Sequence, residues 1–177
     1  MYRYLLLLLL FLSEGCNSFS QKIRTPIPKY VYNQYGILEG YQFDSQRPKV
    51  VTYMYGIGLT RVYFSSTILI NGENEKFMQA NPEFEYLFYI CGIHPNDEND
   101  LLALLKKCTI DYPVFFDYGN EFLEANKGLS LFGTLSGWIL GADNTIYGGA
   151  PMGQRLTMFP SQFILAKKNI QTDHNGL

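Results

Sequence analysis

At 177 residues, with 47% hydrophobic and 17% charged side chains, the chain has the length and apolar content for one domain with a sizeable core. Its formal net charge of −2 excludes a polybasic surface for nucleic acid. Aromatic residues reach 16%, with 14 Tyr and 13 Phe against one Trp, which fits an aromatic core whose tyrosine hydroxyls reach outward.

The first element is an export signal. Arg3 supplies a positive start, and Leu5 to Leu12 form an unbroken apolar run that Glu14 stops well short of the roughly 20 residues a membrane span needs. Gly15-Cys16 then resembles a bacterial lipobox, with Ser13 and Glu14 departing from its usual residues. Lipidation at Cys16 would bury enough CH₂ groups to hold a soluble domain on a membrane. The expected organisation is a lipoprotein-type signal peptide over 1–16 and a tether over 17–47. A folded domain over 48–170 and a frayed tail over 171–177 follow. Within the tether, Pro26, Pro28, Gly36, Gly40 and Pro48 punctuate Tyr30, Tyr32 and Tyr35, and no period persists until Ile37 to Phe43 meets the domain.

Val50 to Tyr55 reads as a strand. Arg61 to Ile70, rich in β-branched and aromatic residues and ending at Asn71-Gly72, reads by propensity as a second strand. Tyr86 to Cys91 is a continuous apolar run, as a strand covered on both faces requires. From Asp97 to Cys108 the spacing predicts a helix, with Leu101, Leu104, Leu105 and Cys108 on one stripe. Asp97 and Glu98 at its start, and Lys106 and Lys107 at its end, complement the helix dipole. Pro113 to Phe116 is a second buried strand, parallel to the first through the helix. Asn120 to Ala125 can form a short helix. Trp138 to Leu140 and Thr145 to Tyr147 flank Ala142-Asp143-Asn144 as an antiparallel hairpin. Pro151 to Ile170 closes the chain as a helix interrupted near Pro160, with Leu156, Phe159 and Phe163 facing the sheet.

This order of elements, together with VVTYMYG, EYLFYIC, DYPVFFDYGNEFLEAN and GWILGADNTIYGGAP, resembles the exported, lipoprotein-anchored branch of the thioredoxin-like superfamily over residues 48 to 170. The resemblance implies an α/β fold, a thioredoxin-like central mixed sheet flanked by helices. It also implies that residues 60 to 80 are mostly helical, packing Val62, Ile68 or Leu69, and Phe77 onto the sheet. The helical reading is therefore expected over Arg61 to Ile70, against propensity.

The chemistry of that branch does not carry over. Its thiol exchange needs a low-pKa Cys at a helix start and a resolving Cys three residues on. Leu59 and Val62 stand at the matching positions, and Leu135 stands where the branch has a cis-proline. A non-proline cis bond costs several kcal/mol, so an ordinary trans bond is expected there.

The other cysteines offer little. Cys91 and Cys108 should lie at opposite ends of the sheet, beyond disulfide reach, as buried apolar residues. His94 and His174 belong to no ligand cluster. Asp97, Glu98 and Asp100 read as a capped helix start rather than a Ca²⁺ site, and Asp117 with Asn120 as a capped turn. Gly148-Gly149-Ala150 is a hairpin exit, not a phosphate loop. No metal site and no cofactor are expected.

Two functions compete. One is a redox-inactive, membrane-anchored module of the cell envelope, periplasmic or on the outer membrane. It would bind a protein or peptide around Tyr53, Tyr55, Tyr63 and Phe64. The other is a single-thiol peroxidase or disulfide-handling enzyme using Cys91.

Overall fold

The computed structural model describes residues 21–65, 73–128, 133–149 and 158–175. The expected signal peptide, Cys16, Ile68, Leu69 and Leu156 lie outside the described residues.

Three apolar runs build the centre: β3 (Lys49–Tyr55), β4 (Glu85–Cys91) and β5 (Val114–Asp117). They are parallel, and every residue of β4 and β5 is buried, which explains their lack of alternation. β6 (Leu135–Leu140) pairs antiparallel with β3, and β7 (Ile146–Gly148) with β6. On the other side β1 (Val31–Asn33) pairs antiparallel with β5, and β2 (Gly36–Ile37) with β1. The sheet order is β2-β1-β5-β4-β3-β6-β7.

Connection handedness decides which face the helices of the parallel crossovers cover. The chain steps from β3 to β4 to β5 in one direction, so right-handed crossovers place their helices on one face. These are α1 (Ile57–Tyr63), α2 (Glu73–Ala80) and α3 (Glu98–Lys107). From β5 the chain returns across the sheet to the antiparallel β6 through α4 (Glu121–Ala125), whose Phe122 packs on the opposite face. The last helix, α5 (Met158–Asn175), joins the first face. Met54, Phe88, Ile90 and Phe116 form the core there with Phe64, Leu101, Leu105 and Phe163. Val51, Tyr53, Tyr89, Phe115 and Trp138 form the second core against Phe122 of α4.

Arg61 to Ser65 is helical, as the resemblance implied and propensity did not. Burial of Tyr63 and Phe64 against Phe88, at centroid distances of 6.5 and 5.8 Å, outweighs the intrinsic preference. The helical phase differs from expectation, however. Val62 is 62% exposed instead of packing on the sheet, and its neighbours Tyr63 and Phe64 take the inward positions. Phe77 does pack inward, edge-on to Phe163 at 4.7 Å.

The expected tether is corrected from Gln21 onward: residues 21 to 48 form a strap that completes the second face. Ile23 is buried in that core. Asn126, itself buried, accepts from Arg24 N–H through Oδ1 at 2.8 Å and donates to Arg24 O through Nδ2 at 2.8 Å. Tyr89 Oη donates to Pro26 O at 2.8 Å. The strap then becomes β1 and β2 and returns with Tyr41 and Phe43 edge-on or tilted against Phe115. Tyr41 Oη donates to Glu85 Oε1 at 2.6 Å.

The frayed tail is also corrected, since α5 continues through Asn175. Tyr147 is hydrogen-bonded to Asp173, and Thr172 Oγ1 donates to Lys168 O at 2.9 Å.

Candidate functional site

Strand register sets three residues in a row at the carboxyl end of the sheet. Tyr55 pairs with Cys91, and Cys91 pairs with Asp117. Ligand sites of α/β sheets form beyond such strand ends. Two glycines shape the row. Gly56, at φ 87°, turns the chain from β3 into α1, and its N–H donates to Cys91 O at 2.8 Å. Gly92, at φ 62°, leaves room for the Tyr55 ring: a Cβ there would lie 2.5 Å from Tyr55 Cζ. Gly92 N–H donates to Asn120 Oδ1 at 2.7 Å, tying the β4 exit to the β5 exit.

Cys91 is fully buried, and its Sγ lies 3.3 Å from Asp117 Oδ2. Burial first, then the adjacent carboxylate, holds the thiol far above its usual range. The carboxylate is a structural cap. Asp117 Oδ1 accepts from Glu121 N–H and Oδ2 from Phe122 N–H, each at 2.8 Å, so it satisfies two orphan donors of α4. The capped turn expected at Asp117 and Asn120 is thus present. Its contact with Cys91 is a connection that the sequence reading missed. The available signal was positional, since each residue closes a buried parallel run.

Cys108 is buried on the first face while Cys91 is on the second, and both are free thiols. Burial also raises the Cys108 thiol. Among the described residues, no group of three His, Cys, Asp or Glu side chains is placed to hold a metal. His94 and Asp97 cap the turn before α3, His94 Nδ1 accepting from Asn96 N–H at 3.2 Å and Asp97 Oδ2 from His94 N–H at 2.9 Å. Glu98 accepts from Tyr32 and Tyr118 hydroxyls at 2.9 and 3.0 Å, and Asp100 pairs with Arg61.

Leu59 and Val62, the positions matched to the family's thiols, both lie within α1. Gly56 is the N-cap of α1, so the helix begins at Ile57 and Leu59 is its third residue. From 56 to 62 the residues are Gly, Ile, Gly, Leu, Thr, Arg and Val, so no cysteine stands at this helix start in either register. Leu135 pairs with Met54, and Thr134 O accepts from Tyr55 N–H at 2.9 Å. Among the described residues no peptide bond is cis.

The expected binding edge is mostly interior. Tyr53 is 2% exposed and stacks on Phe122 at 5.8 Å, while Tyr63, the last residue of α1, and Phe64 after it face the first core at 3% and 0%. Tyr53 and Tyr55 point to the same side of β3, but only Tyr55 extends past the second-face core, and it is 44% exposed. Tyr55 and Val62 are therefore the exposed apolar residues at this end of β3 and on α1.

No protein-family profile matches the sequence, and no curated protein matches it. Solved structures do. One is a crystal structure from Chlorobium tepidum assigned as a thiol:disulfide interchange protein DsbE. It is 12% identical, with a TM-score of 0.53 over 82% of this chain and 97% of that one. Another is the solution structure of a thioredoxin-like protein in its oxidised form, 8% identical, with a TM-score of 0.58 over 85% of this chain and 98% of that one.

Proposed function

From the premise that the chain has a thioredoxin-like fold, we propose that it is a binding module without thiol chemistry. On this reading it is exported, held on the cell envelope by lipid at Cys16, and engages an extended protein or peptide segment at the Tyr55 end of the sheet. The observation that carries the reading is Cys91: the thiol at the strand ends is sealed and faces a carboxylate that disfavours the thiolate. A nucleophilic thiol needs the opposite setting, exposed and electropositive.

The test is thiol reactivity of the folded domain. Ellman's reagent should modify neither Cys91 nor Cys108 until denaturant is added. Reduction of insulin by dithiothreitol should run at the same rate with and without the protein. Peroxide turnover or insulin reduction by the wild type, abolished in Cys91→Ser, would overturn the reading in favour of the single-thiol enzyme.

A further inference from the structure

The strap enters the domain at the end of the sheet opposite the Tyr55–Cys91–Asp117 row. β6 pairs Leu135 with Met54 and Leu140 with Lys49, so the 141–145 turn lies beside the amino ends of β3 and β4. Residues 21–23 are fastened to that turn. Ile146 N–H donates to Gln21 O at 2.9 Å, and Ile23 N–H to Asn144 O at 3.0 Å. Lys22 bridges to Thr145 through the backbone and pairs with Asp143 through its side chain. Lys49 Nζ, buried, donates to Ala142 O at 3.1 Å and fixes the turn to β3.

Two lengths then matter. The span of β3 from Lys49 to Tyr55 is about 20 Å at the usual rise per strand residue. Cys16 precedes Gln21 by five peptide steps, a reach of at most about 18 Å when fully extended. The reach is shorter than the strand, so a chain anchored at Cys16 cannot invert the domain to press the row on the membrane.

We infer that the fastening of residues 21–23 to the 141–145 turn orients the domain, with the turn toward the bilayer and the Tyr55–Cys91–Asp117 row toward the aqueous compartment. The inference rests on the lipidation reading above. It also narrows the partner of that site: a soluble protein or the water-exposed segment of another envelope protein, not a lipid or a membrane-embedded chain.

The experiment uses full-length lipidated protein reconstituted into phosphatidylethanolamine–phosphatidylglycerol vesicles that carry an acceptor-labelled lipid. A donor fluorophore is placed at the turn by Ala142→Cys or beyond the row by Asn96→Cys. Energy transfer from position 142 should exceed that from 96 by about twofold or more, given roughly 20 Å of intervening strand. A flexible Gly/Ser insert of about 20 residues before Gln21 should erase the difference. Vesicle flotation separates the two claims. Protein that does not float with the vesicles would remove the anchor and the orientation with it. Floating protein with equal transfer at both positions would overturn the orientation and leave the anchor standing.

Discussion

A methyl group added at Gly92 would meet the Tyr55 ring at 2.5 Å and would have to hold φ at 62°. Gly92→Ala is therefore expected to cost about 1–2 kcal/mol through the left-handed backbone alone. Displacement of the ring adds a steric share. Combining it with Tyr55→Ala should recover the steric share but not the backbone share, and a double-mutant cycle by urea melts measures the split. Burial of Cys91 was legible in the sequence, because Tyr86 to Cys91 is a continuous apolar run without alternation. The partnership of Cys91 with Asp117 was not, since it depends on the register between β4 and β5. The residues expected at the binding edge failed for a related reason. One step along a helix rotates a side chain by about 100°, so the composition of Tyr63 and Phe64 could not say which way they face.

At the scale of elements, α3 and the β6–β7 hairpin were the most legible parts of the chain. Leu101, Leu104, Leu105 and Cys108 all lie inward as their spacing required. The turn residues at Asp143 and Asn144 fall where Thr145 N–H donates to Asp143 Oδ1 at 3.0 Å. The strap was illegible because its strands are two and three residues long and its contacts are distant in sequence. Its anchoring can be tested directly. Ile23→Ala should destabilise the domain by about 2–3 kcal/mol, as burial of a large aliphatic side chain predicts. Asn126→Ala should cost about 1–2 kcal/mol, because it leaves part-buried backbone groups of Arg24 without their side-chain partner. Chemical denaturation reads both, and proteolysis near residues 21 to 30 should accelerate in both variants.

Across the whole molecule, tyrosine burial sets the alkaline limit. Burial, followed by its hydrogen bond to Glu98, pushes Tyr32 up to about 12. Burial likewise raises Tyr41, Tyr53, Tyr63, Tyr86, Tyr89 and Tyr118. The folded state thus favours neutral tyrosine more than the unfolded state does. That stability is intact below about pH 10, where an unfolded tyrosine titrates, and is lost as pH rises through the folded values. The expected outcome is one cooperative unfolding step above pH 10, in which tyrosinate absorbance and loss of far-ultraviolet ellipticity coincide. The thioredoxin-like sheet was legible from the order of its buried strands and helices. The absence of cysteine between Gly56 and Val62 was legible directly.

The strap has a temporal consequence as well. Its partners lie far along the chain: Asn126 is 102 residues from Arg24, and Asp143 is 121 residues from Lys22. The part of the domain that leaves the ribosome early therefore finds its place among the last, after the hairpin that receives it exists. Such long-range closure raises contact order and slows folding, toward the millisecond-to-second range of non-local β topologies. Until then the second face, with Tyr89, Phe115 and Trp138, lacks the strap and is covered only in part, by Phe122 of α4.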